Sequence, residues 1–270
     1  MPAKTVNDIQ LHYEVAGEGP PVVLIAGLGY SAWMWQRMAP LLAEQFQVIT
    51  FDNRGSGRSA RPPGPYDAWL LAADTVGLLD GLSLEKAHIV GHSMGGFIAQ
   101  ALALAYPQRL ERLVLAATNF GGPNHIPIEP EAMAVLTDVS GDPLERLRRG
   151  IAVSTAPGFS ERQPEIVERW LQYRQDEPLD PQGYQAQLAI GLGLLAADKC
   201  FEPRLGAVTA ETLIIFGEHD HVVPPGNADL LADAIPDSRV RILSGAGHVF
   251  PLEIPAEAAQ VIAGFLNAGD

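Results

Sequence analysis

A serine at position 93 sits between two glycines, in Gly91-His92-Ser93-Met94-Gly95, with a strand-like apolar run before it and a helix-like one after. Upstream is Lys86-Ala87-His88-Ile89-Val90; downstream, Gly96-Phe97-Ile98-Ala99-Gln100-Ala101-Leu102-Ala103-Leu104 continues without a breaker. A strand that turns at once into a helix strains the backbone of the residue at its apex. It also leaves no room for side chains two positions away on either side. Gly91 and Gly95 meet that need and push the Ser93 hydroxyl outward at the start of the helix. There the Met94 N–H has no intrahelical partner and faces whatever Ser93 attacks. The motif is a local signature of a serine hydrolase.

The rest of the chain supplies a frame for such a turn. Residues 4–15 alternate weakly, as in an N-terminal hairpin. Residues 21–26 form a continuous apolar run, expected of a strand covered on both faces. Helical spacing over 31–45 (Trp35, Met38, Leu41, Leu42), a strand over 46–51, a helix over 67–82 and a strand over 110–117 follow. From about 120 to 206 the rhythm breaks into amphipathic stretches (166–173, 184–195) separated by Pro and Gly. It resumes with a strand from Leu213, a helix over 227–235, a strand from Val240 and a closing helix over 255–266. Such alternation predicts an α/β fold: a mostly parallel central sheet with helices on both faces. We expect a core of residues 1–119 and 207–270, and a helical cap insertion over 120–206.

A base and an acid follow Ser93 in the order that strand–turn–helix hydrolases use. Leu213-Ile214-Ile215-Phe216-Gly217-Glu218-His219-Asp220 is a buried-strand run ending in a carboxylate; Val240-Arg241-Ile242-Leu243-Ser244-Gly245-Ala246-Gly247-His248 ends in a Gly-rich loop carrying a histidine. Both side chains thus fall beyond C-terminal strand ends, where open α/β sheets bind ligands.

Bulk properties narrow the class. At 270 residues and 47% apolar content, one enzyme-sized domain with an insertion accounts for the chain. A net charge of −14 argues against nucleic acid and anionic membrane surfaces as partners. Cys200 stands alone, so an intrachain disulfide is impossible and a reducing cytoplasm is the expected location. The N-terminus carries no apolar signal region, and no run reaches the ~18 residues of a membrane helix.

Taken jointly, Phe51-Asp52-Asn53-Arg54-Gly55-Ser56-Gly57-Arg58-Ser59, Gly91-His92-Ser93-Met94-Gly95-Gly96, Gly217-Glu218-His219-Asp220 and Gly245-Ala246-Gly247-His248 resemble the α/β-hydrolase superfamily. The likeness covers the whole chain except the insertion. It is strongest to the esterase and lactonase branch that includes 3-oxoadipate enol-lactonases and related carboxylesterases. The resemblance implies Ser93 as nucleophile, His248 as general base and then acid, and Asp220 as the carboxylate that orients it. It implies an oxyanion hole from the backbone N–H groups of Met94 and Leu28. Implied too are a small-molecule ester or lactone as substrate, no cofactor and no metal. Where the family often has His-Gly before the second oxyanion residue, this chain has Ala26-Gly27, which leaves the loop without its usual organiser. Haloalkane dehalogenases and epoxide hydrolases of this fold carry Asp at the position of Ser93, which disfavours both.

Other readings compete. Gly27-Leu28-Gly29-Tyr30-Ser31-Ala32 fits G-x-G-x-x-A, with Asp52 ending the next strand, close to a dinucleotide fingerprint. Tyr30 and the Trp33-Met34-Trp35 cluster would crowd a pyrophosphate there. His219-Asp220-His221 has the residue types for zinc, but no further His/Cys cluster accompanies it. His92 is expected beneath the turn. Arg54, Arg58 and Arg61 read as loop braces or a substrate-anion site. Trp33 either lines an acyl pocket or only packs its helix; Phe159 and Trp170 of the insertion are further candidate substrate contacts. On the same fold, a small-molecule receptor with slow turnover, a C–C hydrolase or a perhydrolase would keep the same three residues. The sequence carries no signature of an oligomeric state.

Overall fold

The computed structural model describes residues 2–138 and 140–268. Positions 1 and 270, the outer limits of the expected core, lie outside the described residues. Strands β1 (Ala3–Val6) and β2 (Ile9–Ala16) form the N-terminal hairpin. Asn7 and Asp8 turn it at φ 46° and 63°, a left-handed region that short polar side chains tolerate. Strand β3 (Pro21–Ile25) leads to a 3-10 turn over Ala32–Trp35, the short helix α1 (Ala39–Leu42) and β4 (Gln47–Phe51). Helix α2 (Ala68–Gly81), β5 (Ala87–His92), α3 (Met94–Ala105) and β6 (Leu110–Ala116) continue the alternation. A helical stretch follows: α4 (Pro130–Thr137), α5 (Pro143–Ser154), α6 (Phe159–Arg162), α7 (Pro164–Asp176) and α8 (Pro181–Gly193). The chain closes with β7 (Thr212–Gly217), α9 (Asn227–Ala234), β8 (Ser238–Leu243), α10 (Phe250–Glu253) and α11 (Pro255–Leu266).

The strands form one sheet in the order β1-β2-β4-β3-β5-β6-β7-β8, antiparallel at β1–β2–β4 and parallel from there on. Neighbouring side chains on a strand point to opposite faces, and each face has its own core. Val23, Ile25, Ile89, Leu113, Leu115, Ile214 and Phe216 pack with residues of α2, α3 and α9, such as Leu78, Ile98 and Leu231. The intervening Val22, Leu24, Val90, Val114, Leu213 and Ile215 pack with Trp35, Leu42 and Ile262 on the other face. Both faces are covered, so the runs are apolar throughout instead of alternating. Strand β8 is the exception: it lies at the sheet edge, and Arg239, Val240, Arg241 and Ile242 are exposed.

One expected helix is broken. Residues 31–45 make the 3-10 turn and then α1, because Pro40 has no N–H to continue a ladder and instead occupies the first turn of a new helix. The expected closing helix over 255–266 forms over those residues. Within the helical stretch, α4, α5, α7 and α8 each place a proline in the first turn. Asp142 and Asp180 cap α5 and α8 by accepting first-turn amides. The stretch packs through Ile151, Phe159, Ile166, Trp170 and Leu171 against Val249 and Leu252, just beyond His248.

Candidate active site

Ser93 ends β5 and opens α3 at φ 54° and ψ −117°, a region that costs a non-glycine residue about 1–3 kcal/mol. The surroundings impose it. A Cβ on Gly91 would stand 2.3 Å from the Gly95 carbonyl oxygen, and one on Gly95 would stand 2.2 Å from that of Ile25. The Ser93 amide donates to the Ala116 carbonyl at 2.9 Å; its own carbonyl accepts from the Gly96 amide and the Thr118 hydroxyl, each at 2.8 Å. The hydroxyl-bearing residue is therefore held through both peptide groups that flank it.

Asp220 follows β7 and is buried. Its Oδ1 accepts from the amides of Val222 and Val223 at 2.9 and 2.8 Å, which fixes the carboxylate plane. Its Oδ2 then lies 2.8 Å from His248 Nδ1. A carboxylate there holds the Nδ1–H tautomer and leaves Nε2 with a lone pair. Three consecutive residues tie down the histidine loop. Gly247 N–H donates to Glu253, the His248 carbonyl meets His92 Nε2 at 2.8 Å, and Val249 N–H donates to the Ser154 carbonyl at 3.2 Å.

His92 lies beneath the turn, buried, with its ring 4.8 Å from that of His248 and edge-on to Trp35. Burial first, and the neighbouring His248 second, hold its pKa well below the ordinary imidazole value. Because its Nε2 faces a carbonyl oxygen, the neutral ring carries its proton there.

Ser93, His92 and His248 line a cavity of about 250 Å³ together with Gly27, Leu28 and Gly29. Met94 begins α3, so its amide is one of the first-turn donors without an intrahelical partner. The loop that carries Leu28 lacks the common histidine, and the structure shows what holds it instead. Asn53 Nδ2 donates to the Ala26 carbonyl at 3.2 Å, Gln187 Oε1 accepts from the Gly29 amide at 3.0 Å, and Arg174 donates to the Gly29 carbonyl at 3.1 Å. Two of these braces come from the helical stretch. Tyr184, an aromatic of the insertion that the sequence offers as pocket lining, lines the cavity; no motif marks Gln187 or Arg174, yet Arg174 lines it too. Their only trace is a position on the inner face of α7 or α8.

The candidate substrate contacts divide. Trp170 lines the cavity. Trp33 does not; it stacks on Tyr173 with ring centroids 4.2 Å apart and planes 9° from parallel, facing a different cavity. Phe159 is likewise outside the lining, buried in the small core of the helical stretch. Both aromatics are taken up by packing among helices, which spacing along the chain does not reveal. A further cavity of about 650 Å³ adjoins the first and shares Leu136, Leu147, Gly150, Arg174 and Leu179 with it.

The rival motifs resolve into structural roles. Asp52, placed where a dinucleotide ribose would bind, accepts from the amides of Ala32 and Arg58 at 2.7 and 2.8 Å. Arg54 pairs with buried Asp74 at 2.7 Å, Arg58 with Glu14 at 3.1 Å, and Arg61 donates to the Gly57 carbonyl at 2.6 Å. These are loop braces. His221 bonds Glu129 at 2.8 Å while Asp220 turns to His248, so His219, Asp220 and His221 do not converge on one point. No helix among the described residues is long and apolar enough to cross a membrane.

The sequence model for the alpha/beta hydrolase fold matches residues 20–255. The chain is similar to a 2-hydroxy-6-oxo-6-phenylhexa-2,4-dienoate hydrolase of Comamonas testosteroni, 31% identical over 98% of this chain and 93% of that one. It is 28% identical over the full length of both chains to an Azorhizobium caulinodans protein named, provisionally, as the carbamate hydrolase RutD. Among solved structures, the enol-lactonase of Burkholderia xenovorans LB400 superposes with a TM-score of 0.82 at 29% identity, covering 98% of this chain and 99% of that one.

Proposed function

This chain belongs to the alpha/beta hydrolase fold family, and on that premise we propose that it cleaves a carboxylic ester or lactone through an acyl-enzyme on Ser93. The observation that carries the reading is the buried 2.8 Å bond from His248 to Asp220, on a loop facing the cavity that Ser93 lines. In this reading Ser93 Oγ attacks the substrate carbonyl carbon while its proton passes to His248 Nε2. The C–O bond to the leaving alcohol then breaks, and the alcohol takes that proton. Water repeats the sequence on the acyl-enzyme: His248 accepts its proton, the acid is released, and the proton returns to Ser93 Oγ. Asp220 stabilises the imidazolium at each stage. In this reading the Met94 and Leu28 amides donate to the oxygen that becomes negative; loss of one such donor costs about 10²–10³ in rate. A cavity of about 250 Å³ suits a small acyl group. A lactone differs in that the leaving alcohol stays tethered.

The test is a fluorophosphonate label with the adduct located by mass, together with a pre-steady-state burst on a short activated ester. A label on the Ser93 peptide and a burst absent from Ser93→Ala support the reading; a burst of equal size in that variant ends it. A second reading has one specific support, the likeness to a 2-hydroxy-6-oxo-6-phenylhexa-2,4-dienoate hydrolase: the same residues would then cleave a C–C bond next to a ketone. Turnover of that dienoate at least tenfold faster than of any ester in a panel would favour it. A receptor role, in contrast, requires tight ligand binding with turnover far below ~1 s⁻¹.

A further inference from the structure

Glu253 ends the short helix α10, five residues past His248, and is buried. Its two oxygens go to different parts of the molecule. Oε1 accepts the Gly247 amide at 3.0 Å, on the residue before His248; Oε2 accepts the Ala156 amide at 2.7 Å, in the turn between α5 and α6. The two donors lie back to back, since a Cβ on Gly247 would stand 2.7 Å from the Ala156 nitrogen. Backbone meets backbone there, and one carboxylate spans the seam. The base of the carboxylate is fixed as well: the Glu253 amide donates to the Val249 carbonyl at 3.3 Å, and Arg37 holds the Leu252 carbonyl.

We propose that Glu253 is a positioning residue for His248, its carboxylate joining the histidine loop to the helical stretch so that docking of that stretch sets the place of the imidazole. The inference rests on the acyl-enzyme reading of the same site. Only an ionised carboxylate accepts both amides with full strength; in the neutral acid the protonated oxygen is a weaker acceptor, and in a glutamine the NH2 accepts nothing and leaves an N–H facing a hydrogen. Released from Gly247, the loop keeps its anchors on His248 itself, through His92, and on Val249, through Ser154, but loses the one on the residue that precedes the histidine. A displacement of the order of 1 Å at a catalytic group costs about 10²-fold in rate.

Geometry is supported by the charge balance. The ionisable groups that face the carboxyl are His248, on its own loop, which favours its ionised form, and Asp220, after β7, which opposes it; the α5–α6 turn presents the Ala156 amide. Burial outweighs the two amide bonds and raises the Glu253 pKa to about 7. The anchor is therefore complete above about pH 7 and weakens as pH falls through that value. The stability sign is opposite. A carboxyl raised in the folded state stabilises it fully while protonated, below the ordinary value near 4.5, and that contribution is lost as pH rises to about 7. Activity and stability thus pull in opposite directions at one side chain.

The experiment compares wild type, Glu253→Gln and Glu253→Asp as full chains on a short activated ester, with melting curves and fluorophosphonate labelling. Positioning predicts a folded Glu253→Gln with kcat about 10²-fold lower, KM within about twofold, and slowed labelling of Ser93. It predicts an acid limb of kcat that falls with two protons in wild type and with one in Glu253→Gln. Glu253→Asp, which keeps the charge but shortens the reach, should recover part of kcat and keep the two-proton limb. A lowered melting temperature with wild-type kcat and an unchanged limb would overturn the proposal and leave Glu253 a packing residue. If neither variant folds, the wild-type limb decides: a one-proton slope overturns the proposal, a two-proton slope supports it. Failure of wild type to label at Ser93 would instead bring down the acyl-enzyme reading.

Discussion

The sheet and the helical stretch between β6 and β7 are held together in different ways. In the sheet, every central strand buries both faces, and a side chain such as Ile214 or Leu115 is wholly enclosed. In the helical stretch each helix buries one narrow face, and Met133, Leu136, Leu179, Leu192 and Leu195 remain 42–59% exposed. The sheet has few alternatives, because a one-residue slip of a strand would exchange the cores of its two faces. The stretch has many, because a helix can slide or tilt at small cost when one face carries its packing. Ser93, Asp220 and His248 all stand on loops of the rigid part, whereas Leu136, Leu147, Gly150, Trp170, Arg174, Leu179 and Tyr184 line the cavity from the adaptable one. If these three are the reacting groups, as proposed, a fixed set faces a wall able to vary, which fits a family with members named for substrates as different as a dienoate and an enol-lactone.

If chemistry resides on the sheet, its largest losses come from there. Ser93→Ala is expected to lower kcat by about 10⁴-fold or more with little change in melting temperature, as read by steady-state assay and calorimetry. Asp220→Asn should come next, at about 10⁴-fold, because an amide can present its N–H to His248 and stabilise the wrong tautomer. A loss below tenfold in Asp220→Asn would move the orienting role away from this pair.

The contrast in packing is tested by stability. Leu115→Ala removes an enclosed side chain between β5 and β7 and should cost about 2–5 kcal/mol in urea unfolding. Leu192→Ala, on the exposed side of α8, should stay within about 0.5 kcal/mol. Equal losses would erase the distinction between the two regions.

Gln187 tests the seam between them. It is fully buried and joins the Gly29 amide to the Arg54 carbonyl, at 3.0 and 2.9 Å. Gln187→Leu keeps the bulk but leaves both backbone groups unpaired, for about 1–3 kcal/mol of stability. Since the Leu28 amide depends on that loop, kcat should also fall, about tenfold, less than deletion of an oxyanion donor would cause. An unchanged kcat would mean that Asn53 and Arg174 suffice to hold the loop.

The same contrast explains what could be read from the chain. The sheet is legible because enclosure on both faces forces long apolar runs, and the strained turn at Ser93 because Gly91 and Gly95 are sterically required. Asp220 and His248 were legible from their places after such runs. The break at Pro40 is not legible from apolar spacing, which continues through it. In the helical stretch, α4, α5 and α6 have too few buried residues to set a clear period; α4 and α5 start at a proline, α5 with an aspartate cap as well, and α6 starts after Gly158. Trp33, open between pocket and packing in one dimension, stacks on Tyr173 and faces another cavity in three; Phe159, which looks like a pocket residue, packs in the small core of the helical stretch. Glu253, Gln187 and Arg174 act by bonding backbone of distant segments, and backbone partners have no sequence of their own to read.

The smallest effect is the most selective test of the adaptable wall. Gly150 lies on α5 where the cavity beside Ser93 adjoins the larger one, and a Cβ there would approach only Leu136 Cδ2, at 3.6 Å. A larger side chain can therefore enter without straining the helix, and replacing a mid-helix glycine gains up to about 1 kcal/mol of helix stability. Gly150→Leu should melt no lower than wild type and turn over a two-carbon acyl ester nearly as well. It should nevertheless lose kcat/KM on an eight-carbon ester about 10-fold, because the longer chain must pass the junction and forfeits contacts worth about 1–3 kcal/mol. An unaltered ratio of the two esters would show that the acyl chain leaves by another route. Loss on both esters alike would mean that α5 supports the reactive groups, and the division between fixed chemistry and variable wall would have to be redrawn at that helix.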